Sequence, residues 1–174
     1  MATRSVMAIL MAAMSVLAFG QVRISVGPLV ITPPSGYALS AQQKSDRVTF
    51  TSASPALQVI VSFGSLRGED SWAALESVAA RRPRALQQAT ESGGEPQRTR
   101  WLDLPALLFR TDTTVSGKPY HWMTLVAHDS ARARYLQLEI GFAPENSKHV
   151  QGALKTWTKA VKYEPEEPAE IGAR

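Results

Sequence analysis

Three histidines are the side chains best suited to acid–base or metal chemistry near neutral pH, namely His121, His128 and His149. His121 and His128 are seven residues apart on one predicted strand, and an odd separation places them on opposite faces. His149 lies on the last predicted helix, away from its apolar stripe. Because a metal site needs ligands that converge, this spacing predicts structural or solvated histidines and no bound metal.

A hydrolytic site would need a nucleophile beside a histidine that a carboxylate orients. His128, Asp129 and Ser130 have the right types, but Asp and Ser are ordinary turn formers, and no Gly-x-Ser-x-Gly motif is present. We therefore predict no catalytic residue. Since triads assemble in space and not in sequence, a periplasmic hydrolase with scattered site residues stays the alternative hypothesis.

The other polar motifs have structural explanations. The start of a helix accounts for Glu69 and Asp70, and the solvent-facing side of a strand accounts for Glu139. Gly93-Gly94 lacks the lysine of a phosphate loop, so we predict no nucleotide and no other cofactor. The absence of cysteine excludes disulfides, thiolate metal ligands, cysteine nucleophiles and a lipidated cysteine.

Basic residues give the chain a formal net charge of +4 and concentrate near one helix end and several strand starts. Four of them form a candidate partner surface, namely Arg98, Arg100, Arg132 and Arg134. This pattern is interpreted either as a contact for an envelope protein or an anionic envelope component, or as a solvated basic face. The signal-peptide pattern of residues 1–20 predicts export, which argues against nucleic acid as a partner.

Residues 1–20 have the pattern of a signal peptide. Arg4 is followed by an apolar run from Val6 to Phe19, and small residues precede a cut before Gln21, with an alternative cut after Ala18. The run is shorter than the ~20 residues that cross a bilayer. We therefore predict a periplasmic or secreted protein that has no transmembrane segment after cleavage.

The elements that position these residues follow from the periodicity of apolar side chains. Segments rich in β-branched and aromatic residues predict three early strands, at 22–32, 46–52 and 57–64. Asp70 or Ser71 caps a predicted helix that ends near Pro83, and residues 85–97 are predicted to form a mobile surface loop.

The second half predicts three more strands, at 98–109, 119–127 and 132–142. Pro105 interrupts the first, and the other two pair as a hairpin. Pro144 opens a final helix whose apolar stripe comprises Val150, Leu154, Trp157 and Val161. Residues 164–174 are predicted to be a disordered tail, which leaves one domain at 21–163.

Tryptophans are expected mainly in the core. Trp72 and Trp157 occur at helical spacing among apolar residues, which predicts burial. Trp101 and Trp122 fit either the core or a contact surface.

This order of elements predicts the α+β class, with a central, mainly antiparallel sheet of about six strands packed by an internal helix and a C-terminal amphipathic helix. Five segments carry a family resemblance, namely Pro33-Pro34-Ser35-Gly36-Tyr37, Arg47-Val48-Thr49-Phe50, Leu57-Gln58-Val59-Ile60-Val61, Leu104-Pro105-Ala106 and the strand pair before Pro144. In these segments the chain resembles the PsbP-like fold superfamily, which includes the extrinsic photosystem protein, a eukaryotic Ran-binding import factor and bacterial envelope proteins.

The resemblance implies a scaffold that binds other proteins and carries no shared site motif. A related bacterial group resembles secretion chaperones that act in the cytosol, a role that predicted export argues against. We therefore expect a non-catalytic, exported binding or adaptor module of the bacterial cell envelope.

Overall fold

Two β-sheets and two helices make up the fold in the computed structural model, which describes residues 22–40, 44–85, 89–92 and 95–165. The strands are β1 (Ile24–Val26), β2 (Leu29–Ile31), β3 (Tyr37–Leu39), β4 (Arg47–Ala53), β5 (Ala56–Ser65), β6 (Ala89–Ser92), β7 (Gln97–Trp101), β8 (Leu104–Val115), β9 (Lys118–Asp129), β10 (Arg134–Phe142) and β11 (Val161–Tyr163). The helices are α1 (Ser71–Ala85) and α2 (Ser147–Ala160).

A large antiparallel sheet forms the centre of the molecule. Its strands follow the order β3-β4-β5-β10-β9-β8-β6, and β7 also pairs with β8. The predicted α+β class, with a mainly antiparallel sheet packed by two helices, is therefore confirmed, although the sheet has eight strands and not about six.

The large sheet is covered on both faces. The α1 face carries Leu107, Phe109 and Val126, which pack against Leu75 and Ala79 of α1. The α2 face carries alternate apolar residues of the central strands, including Val59, Val61, Leu136, Leu138 and Ile140. On the α2 face these residues pack against Val150 and Trp157 of α2 and against the small sheet. Alternation along each strand therefore divides the core into two layers.

The first predicted strand, 22–32, is wrong as a single element. It forms the hairpin β1–β2 because Gly27 adopts φ +53°, and a Cβ there would lie 2.3 Å from the Phe63 ring. This hairpin pairs through β2 with β11 in a separate three-stranded sheet. A backbone hydrogen bond from Thr32 to the Ala160 carbonyl, 2.9 Å, holds the small sheet to the end of α2.

Local signals around α1 are partly confirmed. The Asp70 carboxylate accepts hydrogen bonds from the backbone N–H groups of Trp72 and Ala73, at 2.8 and 3.3 Å, which is the predicted cap. The helix continues past Pro83 to Ala85, and the predicted loop at 85–97 contains β6, which pairs with β8. Trp72 is only partly buried.

The predicted strand 98–109 is two strands. The chain reverses at Leu102 and Asp103, which both have positive φ, so β7 pairs with the start of β8. The break therefore precedes Pro105, which lies opposite Arg100 in the ladder. The β9–β10 hairpin forms as predicted.

Helix α2 ends one residue earlier than its predicted stripe. Val150 and Trp157 are buried as expected, but Val161 has extended backbone angles and begins β11, where it pairs with Ile31. In the predicted tail, the Glu164 N–H donates to the Pro28 carbonyl. Residues 1–21 and 166–174 lie outside the described residues, so the signal peptide and the rest of the tail stay predictions.

Replacing Trp157 by alanine tests this packing. The indole has no exposed surface and its ring centroid lies 4.9 Å from that of Phe50, so Trp157→Ala should lower the free energy of unfolding by about 3–5 kcal/mol. Lys159→Ala on the exposed face should change it by less than about 0.5 kcal/mol. Chemical denaturation measures both values, and equal small losses would contradict the assigned core position.

Candidate binding groove

An open groove of about 1070 Å³ lies on the α2 face beside the edge strand β3. Its walls come from the last turns of α2, from Ile24 of the small sheet and from the connection between β2 and β3. Tyr37 and Phe50 line it on the side of the large sheet. The groove therefore lies where the two sheets and α2 meet.

The sequence 33–36 shapes the groove locally. Pro33 and Pro34 fix the backbone of the connection that leaves β2, and Gly36 turns the chain into β3 with φ +85°. Tyr37 then packs edge-on against Trp157, with ring centroids 5.0 Å apart. This segment is one of those that carry the family resemblance, but its role as a groove wall was not predicted.

Exposed apolar side chains mark the groove. Three large hydrophobic residues of the described part of the chain are exposed, and two of them, Val22 at 61% and Leu39 at 42%, line it. The third, Val115 at 51%, lies at the distant β8–β9 turn. Clustering of exposed apolar surface in a concavity is typical of a binding site.

Two lysines give the groove a positive rim. Lys159 of α2 and Lys162 of β11 both line it and are exposed. Neither has an ion-pair partner among the described residues.

A separate polar cluster contains the best candidate for acid–base chemistry. Asp112 and His121 are register partners on β8 and β9, so Asp112 Oδ1 lies 2.8 Å from His121 Nδ1. The same oxygen accepts a hydrogen bond of 2.6 Å from Arg110 Nε. Burial alone would raise the pKa of Asp112, but the hydrogen bonds and positive charge of Arg110 and His121 outweigh it and lower that pKa.

No nucleophile completes this cluster within the described residues. The polar partners of His121 there are Asp112 and Arg110, and its ring otherwise packs at 5.4 Å from Phe142. In the same part of the chain, no three histidine, aspartate or glutamate side chains converge as metal ligands. The arrangement can orient His121, but its described partners include no hydroxyl or thiol for it to activate.

His128 and His149 lie elsewhere. The buried ring of His128 contacts Ser71 Oγ at 3.1 Å and the Leu66 carbonyl at 3.0 Å, which is a structural role. It contacts the start of α1, whereas His121 packs on the Phe142 side, so the two are on opposite faces as predicted. His149 is exposed on α2.

Asp129, a predicted turn residue, ends β9 and caps the turn that follows, because its Oδ1 accepts a 3.2 Å hydrogen bond from the backbone N–H of Arg132. The same side chain is buried and joins the two sheets. Its Oδ2 accepts a 2.6 Å hydrogen bond from the Tyr163 hydroxyl of β11 and pairs at 3.2 Å with Arg132. Burial raises the pKa of Tyr163 to about 12, with a further contribution from the Asp129 carboxylate. Burial also acts to raise the pKa of Asp129, but the bonds from Tyr163 and Arg132 lower it.

Two of the predicted surface arginines lie on the α1 face. Arg98 projects from β7, pairs with Glu76 at 2.7 Å and stacks 5.0 Å over the Trp72 ring. Arg100, on the same face of β7, donates to the Asp103 carbonyl. Both side chains are exposed but already have partners within the chain.

The other two arginines are near the β9–β10 turn. Arg132 pairs with Asp129, and Arg134 lies 5.6 Å over Phe63 on the α2 face. The structure therefore brings Arg98 together with Arg100, and Arg132 near Arg134, but places the two pairs on different sides of the large sheet. Their role as a partner surface stays a prediction.

Two further predictions concern buried positions. Glu139 was predicted on a solvent-facing side of β10, but it is only 1% exposed and accepts a hydrogen bond of 3.5 Å from Thr124, so that prediction is wrong. Trp101 lies in the core, whereas the partly exposed Trp122 packs against Tyr120 over Gly141.

No helix in the described ranges is long and apolar enough to cross a membrane.

Comparison with known proteins finds similarity in structure alone. No protein-family model matches the sequence, and no curated protein sequence matches it either. Mycobacterium tuberculosis LpqN, described as involved in cell envelope biogenesis, superposes with a TM-score of 0.60 at 14% identity, covering 79% of this chain and 83% of LpqN. Cyanobacterial PsbP from Synechocystis gives 0.58 at 10% identity, covering 78% and 86%. The Saccharomyces cerevisiae Ran-binding protein Mog1p gives 0.59 at 7%, covering 82% and 93%.

The Tyr163–Asp129 bond predicts a pH-dependent stability difference. Tyr163→Phe should lower the free energy of unfolding by about 1.5–3 kcal/mol at pH 7, the usual contribution of a hydrogen bond to a charged group. The folded-state pKa of Asp129 is below its ordinary value of 3.8, so this contribution is present above that pH and is lost as pH falls through the folded-state pKa.

Denaturation curves of wild type and Tyr163→Phe should therefore converge as the solution is acidified. Tyr120→Phe is the matched control, because the Tyr120 hydroxyl has no hydrogen-bond partner among the described residues. A constant difference between wild type and Tyr163→Phe down to pH 2 would show that the carboxylate is not the source of the effect.

Proposed function

Because this chain has the PsbP-like/Mog1 fold, as its sequence motifs predicted, we propose that it is a non-catalytic binding module of the bacterial cell envelope. The observation that carries this proposal is the groove. Two of the three exposed large hydrophobic side chains of the described residues lie there beside two lysines that have no ion-pair partner in those ranges. A folded chain gains little from exposing apolar surface in one concavity unless a partner covers it.

The names of the structural neighbours support the same class of function. Mog1p is described as Ran-binding and LpqN as involved in cell envelope biogenesis. Transfer to this chain is by analogy of fold, which by itself does not define a function. In this chain, the groove is the site at which such a binding function would reside.

A periplasmic hydrolase is the competing hypothesis, and the Asp112–His121 pair is its best support. That pair has the short contact of a histidine oriented by a carboxylate, 2.8 Å. It lies apart from the groove and has no nucleophile among its described partners, which favours a structural role for the pair.

The arginine pairs are proposed as accessory contacts for an anionic envelope component. Because Arg98 and Arg100 share one face of β7 and Arg132 and Arg134 lie elsewhere, one flat partner would engage one pair only. Arg98 and Arg100 form the better candidate, since both are exposed and they flank each other on an edge strand.

Export predicts a defined mature N-terminus. Mass spectrometry of the protein recovered from the periplasmic or secreted fraction of its native host should find a chain that begins at Gln21 or Phe19. An intact chain starting at Met1 in the membrane pellet would contradict export with cleavage.

Surface substitutions test which face of the molecule binds the partner. A tagged chain should capture a reproducible component of an envelope extract, and Val22→Glu with Leu39→Glu should abolish capture because charge in an apolar groove is strongly disfavoured. Val115→Glu, at the equally exposed distant turn, is the matched control and should retain it. Asp112→Asn with His121→Gln should also retain capture and the cellular role.

The same capture assay tests the arginine pairs. Arg98→Glu with Arg100→Glu should weaken capture, more so at low salt, while Arg132→Glu with Arg134→Glu changes net charge equally and should have a smaller effect. Loss of the cellular role in a folded Asp112→Asn and His121→Gln variant, with the groove variant unaffected, would favour the hydrolase instead.

A further inference from the structure

We propose that the edge strand β3 accepts an extended peptide segment as an added strand, whose apolar side chains enter the groove and whose acidic side chains meet Lys159 and Lys162. This inference rests on the proposed binding function and names the partner of the groove as a polypeptide whose apolar residues and carboxylates lie on the same face of an extended strand.

The first support is the hydrogen-bond register of β3. Ser40 N–H donates to the Thr49 carbonyl at 2.8 Å, so Ser40 and Thr49 are a hydrogen-bonded pair, and Ala38 with Thr51 is the next. The backbone N–H and C=O groups of Tyr37 and Leu39 consequently point away from β4. Because β3 ends the strand order, these groups face an edge without a further described strand.

The second support is the position of the side chains. Tyr37 and Leu39 project on the α2 face, where Leu39 is the register partner of Phe50. A strand added at a spacing of ~4.8 Å would place every second side chain on that same face, beside Tyr37 and Leu39 and inside the groove. Strand addition therefore fills the groove and pairs the backbone in one step.

The third support is that β3, although only three residues long, lacks the charge, proline or bulge that protects many sheet edges. The far edge of the sheet is shared by β6 and β7, and β7 carries Arg98 and Arg100 there. The sequence of β3 is Tyr37-Ala38-Leu39, with no charge, proline or bulge. Its exposed apolar edge is thus suited to pairing.

The positive charge of the groove rim favours an acidic peptide. Lys159 and Lys162 are exposed on the groove and have no ion-pair partner in the described part of the chain, so carboxylates of the added strand would complement them. An anionic amphiphile would satisfy the lysines and the apolar surface but would leave the outward backbone groups of Tyr37 and Leu39 without protein partners. The backbone geometry therefore favours the peptide.

The test uses the full chain and a blocked heptapeptide of sequence ETITVTE, in which both glutamates share one strand face with the isoleucine and the valine. Binding should slow hydrogen exchange of the Tyr37 and Leu39 amides by about tenfold or more, while the Ala38 amide, which already bonds to β4, changes little. N-methylation along one edge of the peptide should abolish binding, and N-methylation along its other edge should not, because a strand pairs through one edge only.

Charge reversal provides the second arm. Lys159→Glu with Lys162→Glu should weaken ETITVTE binding by about tenfold, and the double variant should prefer the peptide KTITVTK. The control is Lys148→Glu with Lys155→Glu, which reverses two exposed lysines elsewhere on α2. It has the same net charge as Lys159→Glu with Lys162→Glu, but it should bind the peptide like wild type.

Other outcomes separate this inference from the proposed function. Peptide binding that survives N-methylation at either edge, or that leaves the Tyr37 and Leu39 amides unprotected, overturns strand addition. Absence of ETITVTE binding also overturns it, and phosphatidylglycerol vesicles bound through Lys159 and Lys162 would identify an amphiphile instead. The binding-module proposal fails separately, when capture from the envelope extract is unaffected by Val22→Glu with Leu39→Glu.

Discussion

The burial of Trp157 is the interaction on which the α2 side of the molecule depends. Its indole lies between Tyr37 of β3 and Phe50 of β4, with no exposed surface, and so fixes α2 across one end of the large sheet. Because β11 begins directly after α2, the same contact positions the small sheet, which is held further by the Thr32–Ala160 backbone bond. The groove is the space left where these three elements meet.

A second connection joins the small sheet to the opposite end of the large one. The Tyr163 hydroxyl reaches Asp129 at the end of β9, and Arg132 closes the same carboxylate from the turn. The small sheet is thus tied at the groove end by apolar packing and at the far end by a buried charge-assisted bond. Rigid attachment at both ends preserves the groove as a preformed concavity, which reduces the entropy lost on binding.

Much of the large sheet could be predicted from the sequence, because apolar and polar residues alternate along its strands. This alternation shows which side chains share the face that packs on the core. Coverage of the opposite face is a tertiary property, which is why Glu139 was assigned to solvent although it is buried. Val161 fits a helical stripe and a strand equally well, and the pairing with Ile31 decides between them. Gly27 interrupts an apolar run for a reason found 36 residues later, at Phe63. The groove draws on residues from 22 to 162, so no local pattern could reveal it.

The two edges of the large sheet differ in a way that packing alone does not require. One edge is shared by β6 and β7, and along β7 it presents arginines that are held by Glu76 and by the Asp103 carbonyl, a fixed charge that disfavours pairing with another strand. At the other edge β3 is short, uncharged and bordered by exposed apolar surface. Because charge lies along β7 and apolar surface lies beside β3, the strand addition that we propose would occur at β3 and would not continue from β7.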